Sequence, residues 1–507
     1  MKFIISITPE IGIEEIPIYA GGLGILEGDK FLLAAKKGLS YVVLTLFYPK
    51  GYVDYLIEDN KVSILEREEY SSLIGKLEKE GEFKLNISNS TYVVKPLSYK
   101  INNSKIVYFL VEPNFIDKLY IERNKFEYEY KYVILAKSSF EYIKRNIGFE
   151  NVAEIHAQES MAGLIFLLVK NVRKILFIHT PGPWGHPIFS AGTIRGEFGI
   201  NIDSDNVMLT RLIIEHSDKV VAVSRKHEKV TLKTFPETLQ KLTHVTNGVN
   251  IDRWMHDEIK KLLILPEVDV RNFMKAHNVI KSQLLEFLGK KNNKKIIINY
   301  KDIFFITWAR RITTYKRPFF IARLIEEISG LDLPVFFILG GKAHPNDYEG
   351  IEYMKLFSKL EKEYKNVVYY PDYDIIKAKI FLSGSDLLLF TPFSGWEACG
   401  TSYMKAGING VPTLASRDGG ALEIIRDGYN GWFFGRELNE VISLNSDEAK
   451  RINNEDYEDF KKRFLAIVSM YQNDKEKYYE VMLNTLKSFV EWAGVERVFR
   501  ELNIVSE

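Results

Sequence analysis

Cysteine is nearly missing from this chain: among 507 residues there is one, Cys399. A lone thiol excludes an intramolecular disulfide framework and a cysteine-rich zinc site. Long apolar runs are missing too, the longest, near residues 161–169, being about half of the ~18 residues a membrane-spanning helix needs. There is no excess of charge: 68 Lys and Arg stand against 67 Asp and Glu. That balance gives no reason to expect nucleic acid or an anionic membrane as a partner. Residues 1–8 are short and soon followed by Glu10, Glu14 and Glu15, which is no secretory leader, so a cytoplasmic protein is expected. What the chain does have is apolar mass, at 46% hydrophobic and 13% aromatic residues, enough for two or three cores.

Short apolar, β-branched runs recur at 2–5, 41–47, 174–178, 219–223, 303–307, 335–339, 366–370, 387–390 and 413–415. Runs without polar alternation read as strands covered on both faces, hence parallel sheets flanked by helices. The pattern occurs twice. It predicts an α/β protein of two doubly wound, Rossmann-like lobes facing a central cleft, with ligands at the carboxyl ends of the strands. The first lobe is assigned to residues 1–255 and a Lys-rich helical linker to 256–295. The second lobe covers 296–445, and helices at 446–507 are expected to pack back on the first. Alternating segments at 84–88 and 91–95 predict antiparallel strands, a hairpin insertion spanning about 62–108.

Five segments could carry chemistry. Gly21-Gly22-Leu23-Gly24 precedes a helix-like stretch, an arrangement that aims N–H groups at an anion but equally makes an ordinary turn. His179 closes a strand in Ile-His-Thr-Pro-Gly-Pro-Trp-Gly-His186, and His156 and Glu159 sit at a similar strand end. None has metal-ligand spacing, so no metal is expected, and each imidazole could simply satisfy buried backbone groups. Asn247-Gly248 after a strand is first of all a turn. Arg310, Arg311, Lys316 and Arg317 place four cations in eight residues at a strand end, interleaved with Ile and Tyr. That favours a partly enclosed anion site over a solvated face. Last, Glu397-Ala-Cys-Gly400-Thr401 opens a helix that carries Lys405 one turn further along. A lysine among Met404, Ala406 and Ile408 is of the kind whose amine can be neutralised and form a Schiff base.

Taken together, these segments resemble the alpha-glucan phosphorylases. The glycine loop at 18–24, His179-Thr-Pro, residues 222–227, Thr246-Asn-Gly-Val249, the helix with His277 and Lys281, 309–317, Gly341-Lys-Ala-His-Pro345, 371–374 and 397–410 follow in that family's order. The chain is shorter than well-known members, with Ala20 and Cys399 where asparagine and serine are frequent. The resemblance implies a GT-B type glycosyltransferase fold and retaining phosphorolysis of terminal α-1,4-linked glucose to α-glucose 1-phosphate. It also implies pyridoxal 5′-phosphate held as a Schiff base on Lys405. Arg311 and Lys316 would clamp the substrate phosphate, and the amides of Gly21, Gly22, Leu23, Gly400 and Thr401 would complete the anion cradle. His179, Glu397 and Asn247 would bind glucosyl hydroxyls. Glycogen, maltodextrin and a short oligosaccharide all stay open as the glucan, and so does a homo-oligomer.

Nucleotide-sugar glucosyltransferases of the glycogen or trehalose synthase type share this fold. Segments 155–158, 179–186 and 418–423 lean toward them. They carry a second glutamate, eight residues after the first, that grips the nucleotide ribose. Lys405 stands at that place and cannot accept the ribose hydroxyl hydrogens. A non-catalytic glycan-binding relative is the third reading.

Overall fold

The computed structural model describes residues 2–58, 61–65, 70–292 and 302–505. The chain divides into two compact units, one of Met1–Val53 with Glu66–Thr246 and one of Asp54–Leu65 with Asn247–Glu507. The residue assigned as the start of the second lobe, 296, lies outside the described residues.

The first unit is built on a ten-stranded sheet. Its parallel part runs Leu242–His244, Lys219–Ala222, Arg173–Ile178, Val152–Gln158, Phe3–Ile7, Tyr41–Leu46, Ser104–Glu112. The strands nearest its centre bury both faces, as Tyr41–Leu46 does along its whole length. Ser90–Ile101 then pairs antiparallel with Ser104–Glu112 and with Phe83–Ile87, so the expected antiparallel strands extend this sheet at its edge. The neighbouring hairpin Asp54–Glu58 with Lys61–Leu65 instead belongs to the second unit. There Asp54 pairs with Lys342 at 2.7 Å, and the Tyr55 hydroxyl donates to the Ala343 carbonyl at 3.1 Å.

The second unit has a six-stranded parallel sheet in the order Val367–Tyr370, Val335–Gly340, Phe304–Ala309, Leu387–Phe390, Thr413–Ser416, Trp432–Phe434. Counted by position in the chain, the second sheet reads 3-2-1-4-5-6 and the parallel part of the first reads the same order with a seventh strand added, the doubly wound order whose winding direction reverses beside the first strand. Ligands gather at that reversal, outside the carboxyl ends of the strands. In the first unit it lies after Phe3–Ile7 and Val152–Gln158, and in the second after Phe304–Ala309 and Leu387–Phe390.

The Lys-rich stretch taken as a linker is helical over Val270–Asn292 and is a structural part of the second unit. Phe273, His277, Ile280, Lys281, Leu284 and Leu288, at helical spacing, all face inward. Leu284 and Leu288 join Phe305, Phe336, Ile338, Val368 and Phe381 in one core. Beside it, the Lys281 amine donates to Asp386 Oδ2 at 2.6 Å and to the Tyr471 hydroxyl at 2.9 Å, while His277 Nε2 meets Asp386 Oδ1 at 3.1 Å. Burial works to raise the Asp386 pKa, but Lys281 and His277 outweigh it and hold the carboxylate ionised. The helices Asp447–Asn473 and Lys475–Trp492 pack on the same unit, against Trp432–Phe434 and Val270–Asn292 respectively.

Candidate active site

In the second unit, strand Phe304–Ala309 delivers Arg310 directly to the reversal point. Arg310 is 8% exposed, and its Nη2 donates to Glu397 Oε2 at 2.5 Å. The guanidinium lies 4.3 Å from the Phe390 ring centroid, and its Nε and Nη1 hydrogens, also buried, meet no acceptor. Buried donors without acceptors are costly and rare, so an anionic ligand at this point would remove the cost. The Lys316 amine stands 3.6 Å from the same Glu397 oxygen. Burial, with Arg310 adding to it, pushes the Lys316 pKa down to about 7. Burial tends to raise Glu397, but Arg310, Lys316 and Arg311 prevail and keep it below the ordinary carboxylate range. Two buried cations therefore share one carboxylate.

Local folding explains this convergence. Glu397 follows strand Leu387–Phe390, and its N–H donates to Asp418 Oδ2 at 2.8 Å. Gly419, at φ 56°, lets that loop pass close: a Cβ there would lie 2.8 Å from the Glu397 carbonyl oxygen. Gly400 leaves room for Phe390, whose ring a Cβ would approach to 2.6 Å. Thr401, partly exposed, precedes a helix of only six residues, Ser402–Gly407, and makes no side-chain cap. Lys405 is buried on that helix with its amine 4.0 Å over the Trp254 ring. Asn247 also lies in this unit and donates through Nδ2 to the Cys399 carbonyl at 3.2 Å. The Cys399 thiol is buried and pushed up to about 12 by desolvation, so it is no nucleophile at neutral pH.

The expected clamp named Arg311 and Lys316. Of the adjacent arginines, it is Arg310 that is buried on Glu397, while Arg311 is exposed and bonded to Tyr315. Arg310 was visible only as one of four clustered cations. Arg317, the last of them, turns away into the core, 1% exposed.

The first unit carries a separate polar group at its own reversal. Glu10, three residues beyond strand Phe3–Ile7, accepts from Ala20 N at 2.5 Å and Gly21 N at 3.1 Å, and from the Tyr120 hydroxyl at 3.3 Å. It is the brace of the glycine loop, a role that the sequence did not signal. The Gly21 amide, counted in the expected anion cradle, is thereby engaged by Glu10. At Gly24 a Cβ would lie 2.8 Å from Tyr19, whereas at Gly22 a Cβ would meet nothing within 4 Å, so packing does not require glycine there. Gly22 and the half-buried Leu23 begin helix Gly22–Lys36, where backbone N–H groups lack intrahelical acceptors. His179 Nε2 bonds Gln158 Oε1 at 2.8 Å, and its backbone N–H and the Thr180 hydroxyl both reach Glu159 Oε1, at 3.2 and 2.7 Å. Desolvation first, then Lys30 and His227, hold the His179 imidazole neutral. Burial pushes Glu159, in a left-handed backbone conformation at φ 72°, up to about 8. His156 pairs with Glu154 at 2.6 Å and is structural. Among the described residues no group of three or more His, Cys, Asp or Glu could hold a metal ion.

Two doubly wound sheets in the same strand order, each with its polar groups at the reversal, define the class: a GT-B type α/β protein with a buried cationic site. The model of the carbohydrate phosphorylase family matches residues 264–496, which contain that site. The chain is 27% identical to the maltodextrin phosphorylase of Thermococcus litoralis, over 98% of this chain and 69% of that protein. It is 26% identical to the glycogen phosphorylase of Aquifex aeolicus, over 86% and 76% of the two chains, and 23% identical to that of Mycobacterium tuberculosis, over 83% and 61%. These matches agree with the resemblance that the motifs carry: the chain is similar to carbohydrate phosphorylases over most of its length.

Proposed function

We propose that this chain is an α-glucan phosphorylase, which reversibly transfers the terminal α-1,4-linked glucose of a glucan to inorganic phosphate with retention, giving α-glucose 1-phosphate. The observation that carries the reading is the buried Arg310–Lys316 pair, whose charge Glu397 only half offsets and whose arginine keeps two buried N–H groups without acceptors. A site of that charge takes a phosphate. Lys316 and Arg311 would grip the substrate phosphate and stabilise the positive, oxocarbenium-like transition state through it. Glu397 and Asn247 would bind glucosyl hydroxyls, as would His179, whose neutral ring can donate or accept.

Pyridoxal 5′-phosphate fits the residues around Lys405. Lys405 is a primary amine of the kind that condenses with the cofactor's aldehyde, and it is buried beside the Trp254 ring. The unsatisfied hydrogens of Arg310 and the amides of Gly400 and Thr401 would hold its phosphate. Bound there, the cofactor supplies a phosphate group able to give and take a proton. At the position where a nucleotide-sugar enzyme needs an acceptor for ribose, Lys405 offers only donors, so a nucleotide donor is disfavoured.

The test is direct. Maltodextrin and inorganic phosphate should give glucose 1-phosphate, and borohydride reduction should add the mass of a pyridoxyl phosphate to Lys405 in the wild type and not in Lys405→Ala. Turnover of UDP-glucose or ADP-glucose by protein that never takes up the vitamin would overturn the reading.

A further inference from the structure

We propose that Arg317 and Asp456 form a positioning pair that fixes Lys316 toward the anion and ties the helix Asp447–Asn473 to that site. The inference deepens the phosphorolysis reading and rests on it.

Arg317 follows Lys316 in the chain and is 1% exposed, in the left-handed conformation at φ 52°. A non-glycine residue there is strained and persists only where its surroundings hold it. They do so on every side. Its Nε donates to the Thr391 carbonyl at 2.8 Å, Nη2 to the Pro392 carbonyl at 2.9 Å, and Nη1 to Asp456 Oδ2 at 2.7 Å. The Phe320 ring centroid lies 4.4 Å from the guanidinium carbon. Asp456, 2% exposed, accepts the Arg436 N–H through its other oxygen at 2.9 Å, and Gly435 leaves it room, since a Cβ there would lie 2.6 Å from its carboxyl carbon.

These contacts bracket the Lys316 backbone. Thr391 Oγ1 donates to the Lys316 carbonyl at 2.8 Å and is itself held by the Trp308 indole at 2.9 Å. The Phe393 N–H donates to the Tyr315 carbonyl at 2.6 Å. Turn 313–317 is thus pinned to the segment leaving Leu387–Phe390, the same segment that leads to Glu397. Asp456 also balances charge. The charged groups acting on Lys316 are Arg310, Arg311 and Glu397, and those acting on Arg317 are Asp456 and Asp418. Without the Asp456 carboxylate Nη1 loses its anchor and the turn that carries Lys316 loosens, and an amine drawn away from Glu397 loses the carboxylate that favours its proton.

The experiment uses the full chain loaded with its cofactor. Asp456→Asn keeps the shape and removes the charge. It should lower kcat/KM for inorganic phosphate about tenfold, shift the alkaline limb of that profile to lower pH, and leave the KM for maltodextrin within twofold. In the Lys316→Ala background the same substitution should cause no further loss, because the pair acts through Lys316. If Asp456→Asn does not fold, Arg317→Lys, which keeps the charge and loses the fork, should show the same loss and the same non-additivity. Losses that multiply in the double variant, or that fall equally on phosphate and glucan with an unmoved limb, would overturn the pair. A wild type that needs no phosphate overturns the phosphorolysis reading itself, and the pair with it.

Discussion

Arg310 and Arg311 are neighbours in sequence with opposite surroundings, and only the fold separates them. Strand Phe304–Ala309 is buried on both faces and ends just before Arg310, and where the chain leaves it one guanidinium stays in the core and the next meets solvent. Charge clustering marked this segment as an anion site, but Glu397, the partner that distinguishes the two arginines, is 87 residues away. Lys316 allows a pH prediction. Its pKa falls from its ordinary value near 10.5 to about 7 in the folded chain. Below about 7 the amine is charged in folded and unfolded chains alike and the desolvation penalty is fully present; between 7 and 10.5 the unfolded chain binds the extra proton, so this group's contribution to stability rises with pH. Phosphate binding should run the other way, since it needs the charged amine. kcat/KM for phosphate, measured from pH 6 to 9, should fall above about 7, and Lys316→Arg, which cannot be deprotonated, should flatten that limb. An unchanged limb in the arginine variant would place the titration elsewhere.

At the scale of elements, the strands were readable because a parallel sheet covered on both faces needs uninterrupted apolar runs. Leu387–Phe390 falls where its run does, and Phe304–Ala309 begins one residue later than its run. Strand Val152–Gln158 was visible only through its end, because Glu154, His156 and Gln158 break the run and are satisfied by partners on other strands or on one another. Strand order has no local signature, so the reversal point came only with the structure. That point depends on a close approach between loops. Gly341, beyond strand Val335–Gly340, has φ 126°, and a Cβ there would lie 1.9 Å from the Arg310 carbonyl oxygen. Its own carbonyl accepts from the Tyr369 hydroxyl at 2.8 Å, so the loop cannot simply swing away. Gly341→Ala should therefore lower stability by at least roughly 1–3 kcal/mol from backbone strain alone. It should also reduce phosphate kcat/KM by moving Arg310, read as a drop in urea midpoint together with a phosphate-specific kinetic defect. A stable variant with unchanged phosphate kinetics would show that Arg310 tolerates the shift.

For the whole molecule, connectivity differs from what a boundary near residue 255 implies. The chain passes from one unit to the other three times, after Val53, after Leu65 and after Thr246. The reason is physical: hairpin Asp54–Leu65 exposes Leu56, Ile64 and Leu65 and has little core of its own, so it takes its order from the second unit. There it binds the Gly341–Pro345 loop through Asp54–Lys342 and Tyr55–Ala343. Alternation in the sequence marked strands at 84–88 and 91–95 but not this hairpin, and which unit the hairpin joins is decided only by contacts nearly 300 residues apart. Burial pushes the Tyr55 hydroxyl well above its ordinary pKa, so it remains a donor throughout the working range. Tyr55→Phe removes one hydrogen bond and leaves the Ala343 carbonyl short of its donor, a loss of about 1 kcal/mol. Since that bond lies wholly within the second unit, hydrogen exchange should quicken by about fivefold at residues 341–345 and in the hairpin. Strands Phe3–Ile7 and Val152–Gln158 of the first unit should keep their protection. Equal loss of protection in both units would mean that the hairpin supports the first as much as the second, and that the two unfold as one body.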